Sequence, residues 1–123
     1  MKENSMSKFN PALSQFEIQG KKYRLKKFSI AAQVWVSNEF STKGEYDGFD
    51  LFVKGLTNHD TAMISKTCYF LLEDKSDFPS WESFVYALKD TYSILSILLP
   101  PLSQSIEDAR PEVDEDDAEL KKS

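Results

Sequence analysis

Residues 14 to 27 read Ser14-Gln-Phe-Glu-Ile-Gln-Gly-Lys-Lys-Tyr-Arg-Leu-Lys-Lys27, and the alternation of apolar and polar side chains along them decides the fold class. Apolar residues stand at every second position on either side of Gly20, which is the period of a half-buried strand rather than of a helix. Glycine readily supplies the positive φ of a tight turn, so the spacing predicts a β-hairpin with Gly20 and Lys21 as its two-residue loop. That register pairs Gln19 with Lys22, Ile18 with Tyr23, Glu17 with Arg24 and Phe16 with Leu25. Phe16, Ile18, Tyr23 and Leu25 then share one face, and Glu17 meets Arg24 on the other as an attractive cross-strand pair. Lys22, Arg24 and Lys26 form a solvent-facing basic row, a common means of keeping a sheet edge soluble. A lone two-stranded hairpin is marginal in water, so its apolar face must rest on the remainder of the chain.

Beyond Phe28 the apolar spacing changes to the period of helices. Ser29 is placed to cap a helix running to about Ser41, with Ile30, Val34 and Ala31 on one stripe and Trp35 beside it. The stretch from Thr42 to Gly48 breaks that pattern. Phe49, Phe52, Val53 and Leu56 then predict a short second helix ending near Asn58. Asp60 caps a third, from about Thr61 to Glu73, with Ile64, Cys68, Leu71 and Leu72 inward and Met63 and Phe70 flanking them. Ser80 caps a long fourth helix, Trp81 to Leu98, whose core stripe is Trp81, Phe84, Val85, Leu88, Tyr92 and Leu95. Pro100-Pro101 is expected to stop it, because proline lacks the donor a helix interior needs and restricts the residue before it. The sequence from Leu102 to Asp108 is compatible with one more short helix.

The expectation is an α+β fold, an N-terminal β-hairpin packed on four to five helices. Residues 1–13 read as a flexible N-terminus, 14–106 as one α+β domain, and 107–123 as an acidic flexible tail. A chain of 123 residues suits one core, and with 41% apolar and 13% aromatic residues it has the side chains to build one. The net charge of −5 is unevenly spread: residues 1–27 carry seven Lys/Arg against two acids, whereas 106–123 carry three against eight. Such clustered carboxylates with few large apolar neighbours repel one another, and little burial is on offer to offset their ordering.

Several function classes are disfavoured. Phosphate contact needs concentrated positive charge, so a nucleic-acid partner is not expected of so acidic a chain. The longest nearly apolar run, Tyr92 to Leu102, falls short of the roughly 20 residues of a membrane span. The polar N-terminus lacks a secretory apolar run, and Cys68 alone cannot form an internal disulfide, so a reducing cytoplasm is the natural home. The single histidine, His59, sits in an Asn-His-Asp loop with no metal-ligand spacing around it. Cys68 lies on an apolar stripe that disfavours a thiolate. Gly20, Gly44, Gly48 and Gly55 form no phosphate-cradling loop. Hence no enzyme, no cofactor and no metal are expected. What the sequence does offer is surplus apolar surface: with the stripe of the fourth helix already assigned, Tyr86, Ile94, Ile97 and Leu98 point elsewhere and are the candidate partner-binding residues, with burial under the hairpin or beside Leu102 and Ile106 as the other reading.

The order of elements resembles the tail assembly chaperones of long-tailed bacteriophages. The resemblance is carried by Phe16-Glu-Ile-Gln-Gly-Lys-Lys-Tyr-Arg-Leu25 with Phe28-Ser-Ile30 after it, and over the remainder, to about residue 108, it is one of layout alone. It implies a cytoplasmic, non-enzymatic binding protein whose partners are the tape-measure protein, kept soluble during assembly, and the tail-tube subunits gathered on it. It also implies two product lengths made by ribosomal frameshifting, for which codons of Leu120-Lys121-Lys122 would be the place. Two other classes fit the same sequence: a virion structural component, such as a tail-completion or connector protein, and a small inhibitor whose acidic tail occupies a basic site on a host protein. Self-association is left open by the sequence.

Overall fold

The chain turns at Gln19 and Gly20, whose φ values of 52° and 85° are both positive, as a type I′ hairpin turn requires. Strands β1 (Gln15–Ile18) and β2 (Lys21–Arg24) flank this turn and pair antiparallel, with Phe16 opposite Tyr23, Glu17 opposite Lys22 and Ile18 opposite Lys21. The predicted register is therefore corrected by two residues: the loop is Gln19-Gly20 rather than Gly20-Lys21, and Glu17 faces Lys22 rather than Arg24. A shift of two leaves every side chain on its own face. Phe16 and Ile18 are buried and Tyr23 stacks on Phe16 with ring centroids 5.8 Å apart. Arg24, released from Glu17, lies 3.8 Å from Glu73.

In the computed structural model, which describes residues 14–42, 45 and 47–110, this hairpin is followed by five helices. They are α1 (Ile30–Phe40), α2 (Gly48–Thr57), α3 (Thr61–Leu71), α4 (Trp81–Leu88) and α5 (Thr91–Asp108). The α+β architecture read from the sequence is the architecture observed. The expected N-terminal segment 1–13 and residues 111–123 of the expected acidic tail lie outside the described residues, while Glu107 and Asp108 belong to α5.

Local chemistry starts the helices where the sequence placed them. Ser29, Asp60 and Ser80 each accept a hydrogen bond from a backbone N–H in the first turn, and Ser80 forms a reciprocal capping box with Ser83. Helix α3 ends two residues earlier than predicted because another element takes its last backbone groups. Leu72 bridges to Leu25, the Lys26 N–H donates to Leu71 O at 2.7 Å, and the Glu73 N–H donates to Arg24 O at 3.0 Å.

Three expectations are overturned by packing. In α1 the buried residues are Ala32 and Val36, whereas Ile30 and Val34 are 76% and 54% exposed. Apolar residues lie on every side of this helix, so periodicity names no unique inner face, and its contacts with α2 and α3 choose one. The single fourth helix is two, broken at Lys89, whose φ of 80° and ψ of −56° with an Asp90 N–H···O=C Leu88 bond of 3.0 Å make a tight γ-turn. Asp90 then caps α5 by accepting from Ser93 N at 2.8 Å. Finally, Pro100 and Pro101 lie inside α5 rather than ending it. An interior proline costs about 3 kcal/mol or more. Against that stand Leu98 and Leu102, both fully buried, on either side of the pair. Each such burial is worth about 1.5–3 kcal/mol, and Pro101 is itself buried while Pro100 is exposed.

The helices pack as α1 on α2 and α3 on α5, with β1 resting on α5. Ser105 fastens the hairpin to the long helix: its Oγ donates to Lys26 O at 2.6 Å, and its carbonyl accepts from the Phe28 N–H at 3.2 Å. Gly48 lets α1 and α2 meet, since a Cβ there would run into the Ser37 carbonyl. Among the described residues no helix is long and apolar enough to cross a membrane.

Candidate functional site

The surface that stands out is built around α4. Trp81, the first residue after the Ser80 cap, is held against α3 through its indole, which donates from Nε1 to Ser65 Oγ at 3.0 Å. The Lys66 ammonium lies 5.2 Å from the centre of its ring and 2.9 Å from Glu39 Oε2, so one cation ties α1, α3 and α4 together. A cation over an indole face is a favourable electrostatic contact. Val85 comes four residues later on the same face and is half-buried. Tyr86, beside it, is 83% exposed. Beyond the γ-turn at Lys89, Thr91 and Ile94 line a cleft together with Trp81 and Val85 of α4 and Ala62 and Ser65 of α3. A second hollow is lined by Trp81 and Val85 together with Glu82 and Tyr86.

The cleft and the hollow together form one face of mixed apolar and polar character. Its polar groups are serine and threonine hydroxyls and the ends of Glu82, Lys89 and Asp90. The Asp90 carboxyl is held below the usual carboxylate range by the Ser93 N–H it accepts, which serves the cap rather than proton transfer. Burial pushes the Cys68 thiol far up, and its Sγ lies 3.9 Å from Leu98 O. His59 is exposed at the end of α2 with a φ of 59°. Among the described residues no group of three His, Cys, Asp or Glu is placed to hold a metal ion.

Of the four residues singled out in the sequence, the structure leaves Tyr86 in solvent and Ile97 half-buried, and takes Ile94 (6% exposed) and Leu98 (0%) into the core. The correction has a plain cause: the break at Lys89 resets the helical phase, so Ile94 and Leu98 turn inward and Tyr92, assigned to the core, is 78% exposed. Trp81 and Val85, read as core, are walls of the cleft. The signal for the break was present in Asp90-Thr-Tyr-Ser93, where an aspartate three residues before a serine N–H is a good N-cap. Ile30 and Val34 on α1 and Val53 on α2 are further exposed apolar residues. No family model, curated protein or solved structure matches this chain.

Proposed function

We propose that this protein is a non-enzymatic chaperone of phage tail assembly, which holds apolar helical segments of an extended tape-measure protein through the α4 face and so keeps that partner soluble while tail-tube subunits gather on it. The observation that carries the reading is the pairing of a fully presented aromatic, Tyr86, with the fixed indole of Trp81 and the side chain of Val85 in one hollow. Aromatic side chains set rigidly beside an apolar pocket are what binding hot spots are made of. The hairpin-then-helices order, which resembles the layout of tail assembly chaperones, suggests the class of partner.

The test is co-expression of the full chain with the long helical protein encoded immediately downstream, followed by a solubility assay and a pull-down. Solubilisation and co-purification are expected, with capture reduced at least about tenfold by Tyr86→Asp, which alters an exposed side chain. Failure of the unmodified chain to solubilise or retain that protein overturns the reading.

A further inference from the structure

A group of lysines without ion-pair partners among the described residues lies where the hairpin meets α5. Lys26 and Lys27 are exposed and Lys75 is half-buried, and none of the three has a carboxylate within 4 Å among the described residues. The cluster is fixed by backbone contacts. Lys26 N donates to Leu71 O at 2.7 Å, and Lys75 Nζ donates to the Phe70 and Leu72 carbonyls at 3.2 Å each. The proximity is felt electrostatically: burial and then the charge of Lys26 lower the pKa of Lys75. On the same face of β2, Lys22 is opposite Glu17 and Arg24 faces Glu73, so those charges are already partly matched.

The chain carries a complement of its own. Glu112, Asp114, Glu115, Asp116, Asp117 and Glu119 come directly after α5. The end of α5 is close to the lysines, because Ser105 is bonded to Lys26 O and Phe28 N. The helical rise of about 1.5 Å per residue puts Arg110 about 8 Å along the axis from Ser105. Each further residue can span up to about 3.5 Å, so the acidic run is long enough to come back from Arg110 to the level of Ser105 and Lys26.

We propose that the basic surface of Lys26, Lys27 and Lys75 is a docking site for the chain's own acidic run, Glu112 to Glu119. The inference stands apart from the chaperone reading. Individual exposed ion pairs are weak and salt-sensitive. Tethering changes the arithmetic, since a short linker supplies an effective concentration in the millimolar range, enough to keep a site occupied whose affinity for the free segment is only about millimolar. Occupied in this way, the surface is withheld from other polyanions.

The test uses the full chain, labelled for amide NMR, beside a full-length variant carrying E112Q, D114N, E115Q, D116N, D117N and E119Q. At low ionic strength the amide signals of Lys26, Lys27 and Lys75 are expected to differ between the two chains, and the difference is expected to collapse at about 0.5 M salt, where screening is strong. A synthetic peptide of residues 111–123 added to the neutralised variant should move the same signals toward their positions in the unmodified chain. K26E/K27E introduced into that variant should weaken the peptide at least about tenfold. Superimposable low-salt spectra of the two chains overturn the proposal. So does a difference that disappears on dilution, which assigns the run to a second molecule, or a site that responds to a single-stranded oligonucleotide and not to the peptide.

Discussion

The core has two aromatic ends, and they are assembled in opposite ways. At one end Phe84 touches Phe16, Phe78 and Tyr69 at 6.3, 5.2 and 5.8 Å, bringing together β1, α3, α4 and the loop before α4. At the other, Phe52 touches Phe28, Phe40 and Phe49 at 5.5, 6.2 and 6.3 Å, within one stretch of chain from Phe28 to α2, and Trp35 stacks on Phe70 at 4.4 Å. The first end draws on distant residues and is locked by polar bonds at its edge: Lys21 and Tyr23 both donate to Asp77 Oδ2, at 2.6 and 2.9 Å, and Tyr69 OH donates to Phe78 O at 2.8 Å. The second relies on ring packing, and Ile30, Val34 and Val53 on the helices that carry it stay exposed. Long-range contacts cost more chain entropy to form, so the end that holds α4 is the one that carries the added polar locks. Neighbouring residues of α3, Tyr69 and Phe70, belong to different ends, which makes that helix the wall they share.

Removing either central ring should have the largest effect. Phe84→Ala and Phe52→Ala each empty a buried site and are expected to cost about 3–5 kcal/mol in chemical denaturation. Because α3 joins the ends, Trp35 and Trp81 fluorescence, read in chains retaining one tryptophan each, should report the same midpoint; separated midpoints would show that the ends unfold independently. Gly48→Ala strikes only the Phe52 end, where its new methyl meets the Ser37 carbonyl, and about 1–3 kcal/mol of destabilisation is expected. Gly55→Ala should cost less, since the atom in its way is the flexible Met63 thioether.

At the other end Tyr23→Phe removes one donor to Asp77 and should cost about 0.5 kcal/mol, the low end for a hydrogen bond because the site is open to water. The same lock predicts a pH window. The Lys21 and Tyr23 hydrogen bonds hold the Asp77 carboxyl below its usual range, so its contribution is present above about pH 4 and fades as pH falls through its lowered value. The Asp77 hydrogen bond raises Lys21, and burial followed by the Asp77 bond raises Tyr23. Their contributions are complete below about pH 10 and are lost as pH climbs through the raised values. The stability advantage of the unmodified chain over Tyr23→Phe, measured from pH 3 to 11, should therefore fall toward both ends of the range. Smallest and opposite in sign, Lys89→Gly relieves a positive φ in the γ-turn and, net of the greater entropy glycine loses on folding, should stabilise by only a few tenths of a kcal/mol, seen as a slightly raised denaturation midpoint.

Features governed by chemistry within a few residues were legible in the sequence. The caps Ser29, Asp60 and Ser80 and the inward stripe Ile64, Cys68, Leu71, Leu72 are where the residue types placed them. So is the inner face of the hairpin, although glycine could not reveal that Gln19 also adopts positive φ and moves the turn. Features decided by distant contacts were not. The inner side of α1 is chosen by its neighbours, and the prolines of α5 are overruled by Leu98 and Leu102. The candidate site was half legible: Tyr86 stood out as surplus, but Ile94 and Leu98 changed sides with the phase shift at Lys89.

Cys68 offers a use for its position. It is fully buried on α3 against α5, and desolvation keeps its thiol protonated. A thiol-specific reagent can reach it only when those helices part, so at saturating reagent the labelling rate becomes a clock for that opening. The protein thus contains its own unlabelled stopwatch at the seam between α3 and α5.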